Sequence, residues 1–388
     1  MAADHNTDAS ADASADASAD ASADASADAT DDRVNLIVIF GGQSAEHDVS
    51  CVTATHVLRA VDQTRYRVTP IGIDRDGHWH LATAAQQALE AGPDQLPARL
   101  EAVGDSLSPT PLLASAVSAG PVVVMPLLHG PLGEDGTVQG LLELMDVPYV
   151  GSGVLGSAVG MDKAMAKEVL GFHGITQARW VSLREHEVTP SRLAYVAESL
   201  GLPLFVKPSN MGSSIGVSKA ATIEELQAAV EFALGYDEWV VIEEAINGRE
   251  IEVAVLGNLD PVASAPGEVV PGKEFYDYED KYVDDSAELL IPAPLTGEQT
   301  AEVQRLAVDV YRALRSEGLA RVDFFFEDPA SGGRGFLINE VNTMPGFTPI
   351  SMYPKMWLHS GLSYPALVDK LIDLAIERHH RRRRNTKH

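Results

Sequence analysis

Apolar runs that break into glycine-rich turns and then into amphipathic helices constrain the stretch 33–153 more than any other feature. The run "NLIVIF" passes into "GGQSAEHDVS" and a helical pattern through Val57, Leu58 and Val61. Further on, "VVVMPLLHG" passes through "PLGEDG" into the helix "TVQGLLELM" and then the short strand "VPYVGSG". Strand, turn and helix in alternation predict a parallel sheet with right-handed crossovers, with ligands gathered at the carboxyl ends of the strands. Glu46 and His129 fall at those ends. A nicotinamide-binding half-domain is the obvious competitor. It needs G-x-G-x-x-G after the first strand, whereas "GGQSAEH" has adjacent glycines and then a glutamate.

The whole chain of 388 residues, 45% hydrophobic with 32 Gly and 22 Pro, is long enough for two or three globular domains. Residues 1–32 stand outside them. From Asp8 to Thr30 the unit Ala-Asp-Ala-Ser recurs every four residues, which on a helix would stack like charges, so a disordered tail is expected. That tail holds nine Asp, yet the remainder is still acidic within a net charge of −27, which argues against a nucleic-acid partner. The closing "ERHHRRRRNTKH" reads as a solvated basic tail over 378–388. No basic and apolar leader and no run of membrane-spanning length is seen, so a cytoplasmic protein without a membrane contact is expected. Cys51, the only cysteine, lies in a helical pattern where a packed core thiol is the expected role.

Past Val154 the pattern changes. A helix with Lys163 and Lys167 precedes the strand "PLFVKPS", the loop "NMGSSIG" and a helix begun by a capping box at Thr222 and Glu225. Lys207 ends that strand opposite Gly212, Ser213, Ser214 and Gly216, a loop rich in small donors that suits a flexible phosphate cover. A hairpin turn beside a surface lysine would read the same way. Next, "EWVVIEEAINGREIEVAVLGN" reads as strand, polar hinge and strand, with Glu243 and Glu250 placed to accept from a purine amine and ribose hydroxyls. In "RVDFFFED" the strand period puts Arg321 and Asp323 on one face, as it does Glu340 and Asn342 in "GFLINEVNTMPGF". Asp323, Glu340 and Asn342 form a hard, incomplete oxygen cage of the kind Mg²⁺ accepts; a buried hydrogen-bond network is the competing reading. With Lys163, Lys207 and Lys281 elsewhere in the chain, a nucleoside triphosphate accounts for the set better. The chain has no G-x-x-x-x-G-K-[ST] and no kinase signature.

"GGQSAEHDVS", "LLHGPLGEDGTVQG", "VPYVGSG", "MDKAMAK", "KPSNMGSSIGVSK", "FYDYEDKYVDD", "RVDFFF" and "INEVNTMPGFTPISMYP" stand in one order from about Val34 to Ile376. In this the chain resembles the D-alanine–D-alanine ligase family, ATP-grasp enzymes of peptidoglycan synthesis. The resemblance implies an α/β and α+β architecture. An N-terminal Rossmann-like parallel-sheet domain (33–153) precedes the two ATP-grasp subdomains, central (154–233) and C-terminal (234–377), with ATP between them. It implies that Lys163 and Lys207 hold the phosphates under the "MGSSIG" loop, with Ser214 in that loop, and that Lys281 reaches the γ-phosphate. Glu243 and Glu250 would meet adenine and ribose, and Asp323, Glu340 and Asn342 would bind two Mg²⁺, which Mn²⁺ could replace.

For the amino acids, the same resemblance gives Glu46 the ammonium of the first D-alanine. Arg321 and the Gly346 backbone take the oxyanion, and Ser351 the second carboxylate. Ser213 and Tyr282 would join Glu46 in a hydrogen-bonded network, and His129 would stand near the substrates. A homodimer is expected. Two features depart from the pattern: Glu244 and Ala245 replace a lysine and an aromatic beside the adenine, and the Ala-Asp-Ala-Ser tail has no counterpart. A ligase making D-alanyl-D-lactate or D-alanyl-D-serine is the nearest alternative, and a non-catalytic nucleotide sensor should lack a metal ligand that is present here.

Overall fold

The computed structural model describes residues 33–271 and 288–383. Three sheets organise them. In the first, the strands Tyr66–Ile73, Val34–Gly41 and Val122–Pro126 lie side by side and parallel, with Asn35 opposite both Arg67 and Val122. All five residues of Val122–Pro126 are buried, as expected of a strand covered on both faces. The expected parallel sheet needs two corrections. Trp79–Leu81 and Asp105–Leu107 extend it as an antiparallel edge. Asp74 causes this: its side chain accepts from the Asp76 and His78 amides at 2.9 Å each, closing a tight turn where a crossover helix would be needed for a parallel neighbour. "VPYVGSG" is no strand but a single bridge from Tyr149 to Val124.

The helix His47–Ala60 packs on this sheet through Cys51, Ala54, Val57 and Leu58. Cys51 is buried, as its helical setting predicts, and burial pushes its thiol up to about 12.

The second sheet is antiparallel, ordered Trp180–Arg184, Trp239–Glu244, Leu204–Pro208, Ser218–Ala220, and its apolar face is covered by the helices Pro190–Leu200 and Ile223–Leu234. Thr222 caps the latter by accepting from the Glu225 amide, and Glu225 returns to the Ala221 amide. The strand Trp239–Glu244 hydrogen-bonds inside this sheet, although the sequence pattern groups residues from 234 onward with the region that follows. Periodicity identifies a strand without naming its partner, and the chain crosses to the third sheet only in the hinge after Glu244.

The third sheet is also antiparallel: Glu288–Leu290, Gly267–Val270, Arg249–Gly257, Gly318–Glu327 and Gly335–Asn342, with Val262–Ala263 at its side. The helix Gly297–Ala313 packs Val303, Ala307, Val310 and Tyr311 against Ile251, Val253, Val322 and Phe324. Each such aliphatic or aromatic burial stabilises by about 1.5–3 kcal/mol. The pairing between the last two strands slips from Asp323–Glu340 to Phe324–Ile338, leaving Asn339 as an extra residue. Without this bulge the two-residue period would put Phe336, Ile338, Glu340 and Asn342 on one face. With it, Phe336, Ile338 and Val341 enter the core while Glu340 and Asn342 turn to the opposite face.

The helix Tyr364–Arg382 closes the chain, burying Leu367, Val368, Leu371 and Ile372. Its end corrects the reading of 378–388 as a solvated tail over residues 378–383, residues 384–388 lying outside the described residues. Arg378 is only 3% exposed, donates to the Gly151 and Tyr149 carbonyls and stacks 4.0 Å from the Tyr149 ring centroid. Arg381 pairs with Glu317, Arg382 with Glu143 and Arg383 with Asp146. The acidic partners lie far off in sequence, so a charge run alone could not reveal them.

Candidate active site

Glu46 and His129 sit in loops that follow two adjacent parallel strands, Val34–Gly41 and Val122–Pro126. Glu46 is 9% exposed, and Ser213 from the "MGSSIG" loop donates to its Oε1 at 2.5 Å. Ser213 and Ser214 both adopt left-handed backbone (φ 52° and 58°), which bends the loop toward Glu46. Gly212 allows the close approach, since a Cβ there would lie 3.1 Å from Glu46 Oε2.

The third sheet supplies the opposite wall. Its strand register places Glu252 opposite Asp323, and Asp323 opposite Glu340, in one cross-strand row, while Arg321 faces Asn342. Arg321 grips Asp323 with two bonds of 2.8 and 2.7 Å, and its Nε lies 3.0 Å from Glu252. Although burial opposes the charge, Asp323 and Glu252 hold the Arg321 guanidinium firmly protonated. Asn342 donates to Asp323 Oδ2 at 2.8 Å. Asp323, Glu340 and Asn342 thus stand side by side, residue types whose hard oxygens fit Mg²⁺ or Mn²⁺, while in this structure Arg321 takes both Asp323 oxygens and Asn342 turns its amide nitrogen to Asp323, the hydrogen-bond network of the competing reading.

Cations line the side toward the second sheet. Lys163 donates to the Met211 carbonyl at 2.5 Å and stands 3.9 Å from Glu340. Lys207 donates to Glu243 at 3.0 Å and to the bulged Asn339 at 3.1 Å. Glu243, 3% exposed, also pairs with Lys167 at 3.1 Å. Burial alone would raise the Glu243 carboxyl, but the two ammonium groups outweigh it and hold the carboxyl at about 2. Glu244 has its own partners, Arg179 at 2.8 Å and Arg334 at 2.6 Å, so the departure in the hinge is a charge neutralised by two arginines.

Two cavities adjoin. One, of about 740 Å³, is lined by Glu46, His129, Asn342, Gly346 and Ser351. The other, of about 710 Å³ between the second and third sheets, is lined by Lys207, Ser214, Glu243, Glu250 and Asp323. Both are bordered by Lys163, Ser213, Arg321 and Glu340. Every site residue expected from the sequence and lying among the described residues therefore borders one cavity or the other. Lys281 and Tyr282 fall outside the described residues. Ser351 Oγ is engaged by Thr348, whose hydroxyl lies 2.8 Å away and whose amide donates at 3.2 Å.

Three residues escaped the sequence reading of the site. Glu252 was legible as the next same-face position after Glu250, and Lys167 as the i+4 neighbour of Lys163. Glu134, in "PLGEDG", is buried and borders the first cavity. It accepts from the Gly130 amide at 2.7 Å and the Met344 amide at 2.9 Å. Burial first, and Glu46 second, push its carboxyl up to about 8 against those two donors. No local pattern marks it, because its second partner is distant in sequence.

A parallel-sheet domain before two antiparallel units that enclose a lysine-lined cavity, joined to a second cavity by an Arg and a carboxylate, defines the ATP-grasp class of ligases. Family models described as "D-ala D-ala ligase N-terminus" and "D-ala D-ala ligase C-terminus" match residues 35–152 and 169–373. A D-alanine–D-alanine ligase of Bacillus cytotoxicus is 47% identical over 356 residues, covering 89% of this chain and 97% of that protein. One of Shouchella clausii is 47% identical over 353 residues, covering 89% and 95%. Among solved structures, the D-alanine–D-alanine ligase from Coxiella burnetii aligns with a TM-score of 0.73 at 35% identity, covering 90% of this chain and 96% of that one. The VanG D-Ala:D-Ser ligase from Enterococcus faecalis aligns at 0.74 and 34% identity, covering 88% and 99%. The chain belongs to the D-alanine–D-alanine ligase family.

Proposed function

We propose that this chain joins two molecules of D-alanine into D-alanyl-D-alanine, a peptidoglycan precursor, while converting ATP to ADP and phosphate. The observation that supports this reading is the junction of the two cavities at Lys163, Arg321 and Glu340, residues that would serve there as phosphate-binding cation, oxyanion donor and metal-ligand carboxylate.

A carboxylate resists attack by an amine because it is anionic and would have to expel oxide. One carboxylate oxygen of the first D-alanine therefore attacks the γ-phosphorus and ADP departs, leaving an acylphosphate. The amine of the second D-alanine then adds to the acyl carbon, and phosphate leaves with the bridging oxygen. In this reading Lys163 and Lys207 position the phosphates, and Lys281 reaches the γ-phosphoryl group. Asp323, Glu340 and Asn342 would hold two Mg²⁺ or Mn²⁺ ions, whose charge offsets that of the phosphates.

Glu46, with Ser213 and Tyr282, would seat the first ammonium, and Glu243 and Glu250 adenine and ribose. Arg321 and the Gly346 amide would meet the tetrahedral oxyanion. Ser351 would seat the second carboxylate. His129 faces the Met344 carbonyl through Nδ1 at 3.0 Å, so Nδ1 carries the hydrogen and Nε2 is the ring nitrogen left to accept one. That Nε2 is buried without a hydrogen-bond partner among the described residues. We assign it the proton that the second ammonium must lose.

The reading extends to three lobes, the first sheet and its helices forming one, to a homodimer and to a cytoplasmic setting, all resting on the family resemblance. Among the described residues no helix is long and apolar enough to cross a membrane. Incubation with ATP and equal D-alanine, D-serine and D-lactate, with products resolved by mass, tests the reading. D-alanyl-D-alanine is expected to dominate; a preponderance of the serine dipeptide or of depsipeptide would contradict it.

A further inference from the structure

Met344 lies between Asn342, the last oxygen of the proposed metal cage, and Gly346, the proposed oxyanion donor. Both of its backbone polar groups are taken by the loop that follows Val122–Pro126: its amide donates to Glu134 Oε1 at 2.9 Å, and its carbonyl accepts from His129 Nδ1 at 3.0 Å. The other oxygen of Glu134 accepts from the Gly130 amide at 2.7 Å, next to His129. One buried carboxylate thus ties together two loops, one from the first sheet and one from the third.

We propose that Glu134 is a positioning residue for the second half-reaction, holding His129 and the 343–346 segment in mutual register across the amino-acid cavity. The proposal rests on the D-alanine ligation reading given above. Glu134 borders the amino-acid cavity, but both of its oxygens are spent on backbone amides, so it acts through Met344, Gly130 and His129 and is not a catalytic group. Three features support the role beyond simple packing. A buried carboxyl group is costly unless its oxygens are satisfied, and here each oxygen accepts from a backbone amide of a different loop. Pro345 follows Met344 and has no amide of its own, so the segment leading to Gly346 is fixed chiefly at Met344. The charged groups that act on Glu134 are Glu46, which disfavours its ionised form, and Lys163, which favours it. An ammonium seated at Glu46 would offset the first, favouring the carboxylate that accepts both amides. Substrate binding and loop register are thereby linked.

Neither loop reaches the nucleotide cavity through these contacts, so phosphoryl transfer should suffer less than amine attack. The test is steady-state turnover of the full chain carrying Glu134→Ala or Glu134→Gln, with ADP, phosphate and dipeptide quantified together and thermal midpoints recorded. Glutamine keeps one acceptor but presents its amide nitrogen to the other donor, so it should fall between wild type and alanine. The expected result for alanine is a loss of about 100-fold in dipeptide turnover, a displacement of about 1 Å being enough for that. ATP KM should stay within about twofold. Phosphate released per dipeptide should rise well above one as acylphosphate is lost to water. Coupling held at one phosphate per dipeptide in the folded variants, whether turnover is normal or reduced, would overturn the proposal. Failure of the wild-type chain to form dipeptide would instead overturn the functional reading beneath it. If alanine does not fold, the glutamine variant alone decides by the same ratio.

Discussion

Arg321 joins packing to the chemistry proposed for it. Its guanidinium is held by Asp323 and Glu252, so its position is set before any substrate arrives, and a fixed donor costs no reorganisation when the oxyanion forms. Arg321→Ala is expected to lower kcat by roughly 100-fold or more; a change below about threefold would remove Arg321 from the oxyanion site. Glu243 sets a different expectation, for stability against pH. Its folded carboxyl is held at about 2 against an ordinary 4.5, so its contribution is complete above pH 4.5 and is lost as pH falls through that window toward 2. Glu243→Gln should flatten the acid limb of a plot of melting temperature against pH. It should also cost about 3–5 kcal/mol near neutrality, because two buried ammonium groups lose their counter-charge. An unchanged acid limb would mean that Glu243 is not the group responsible.

Elements were legible in the sequence where a local rule fixes them and illegible where a distant partner does. The strand, turn and helix alternation gave Val34–Gly41 and His47–Ala60, and the Thr222 and Glu225 pair marked the start of Ile223–Leu234, because period and capping act within a few residues. The antiparallel edge at Trp79–Leu81 and the sheet membership of Trp239–Glu244 depend on pairing, which period alone leaves open. For the site, the two-residue spacing of Glu340 and Asn342 was visible, yet the bulge at Asn339 that turns them away from Phe336 and Ile338 was not. Glu134 was hidden for the same reason as Arg378: each meets partners more than two hundred residues away. Arg378→Ala should therefore destabilise the docking of Tyr364–Arg382 by about 3 kcal/mol, from lost charged hydrogen bonds and the ring contact. A melting temperature equal to that of wild type would show that the helix end is held by its exposed salt bridges instead.

At the scale of the whole molecule the fold builds two cavities that meet at one boundary, and the proposed reading gives the amino acids one and the nucleotide the other. The first sheet and its loops bring Glu46, His129 and Glu134 to the first cavity, while the second and third sheets enclose the other. The central claim is that a carboxylate oxygen passes to phosphorus at that boundary before the peptide bond forms. D-Alanine labelled with ¹⁸O in both carboxylate oxygens, incubated with the enzyme, Mg²⁺ and unlabelled ATP, tests this by mass analysis of the phosphate and dipeptide. The account predicts that each phosphate released carries one ¹⁸O, matched by one dipeptide whose amide carbonyl retains the other. Phosphate free of label, formed alongside dipeptide, would contradict it.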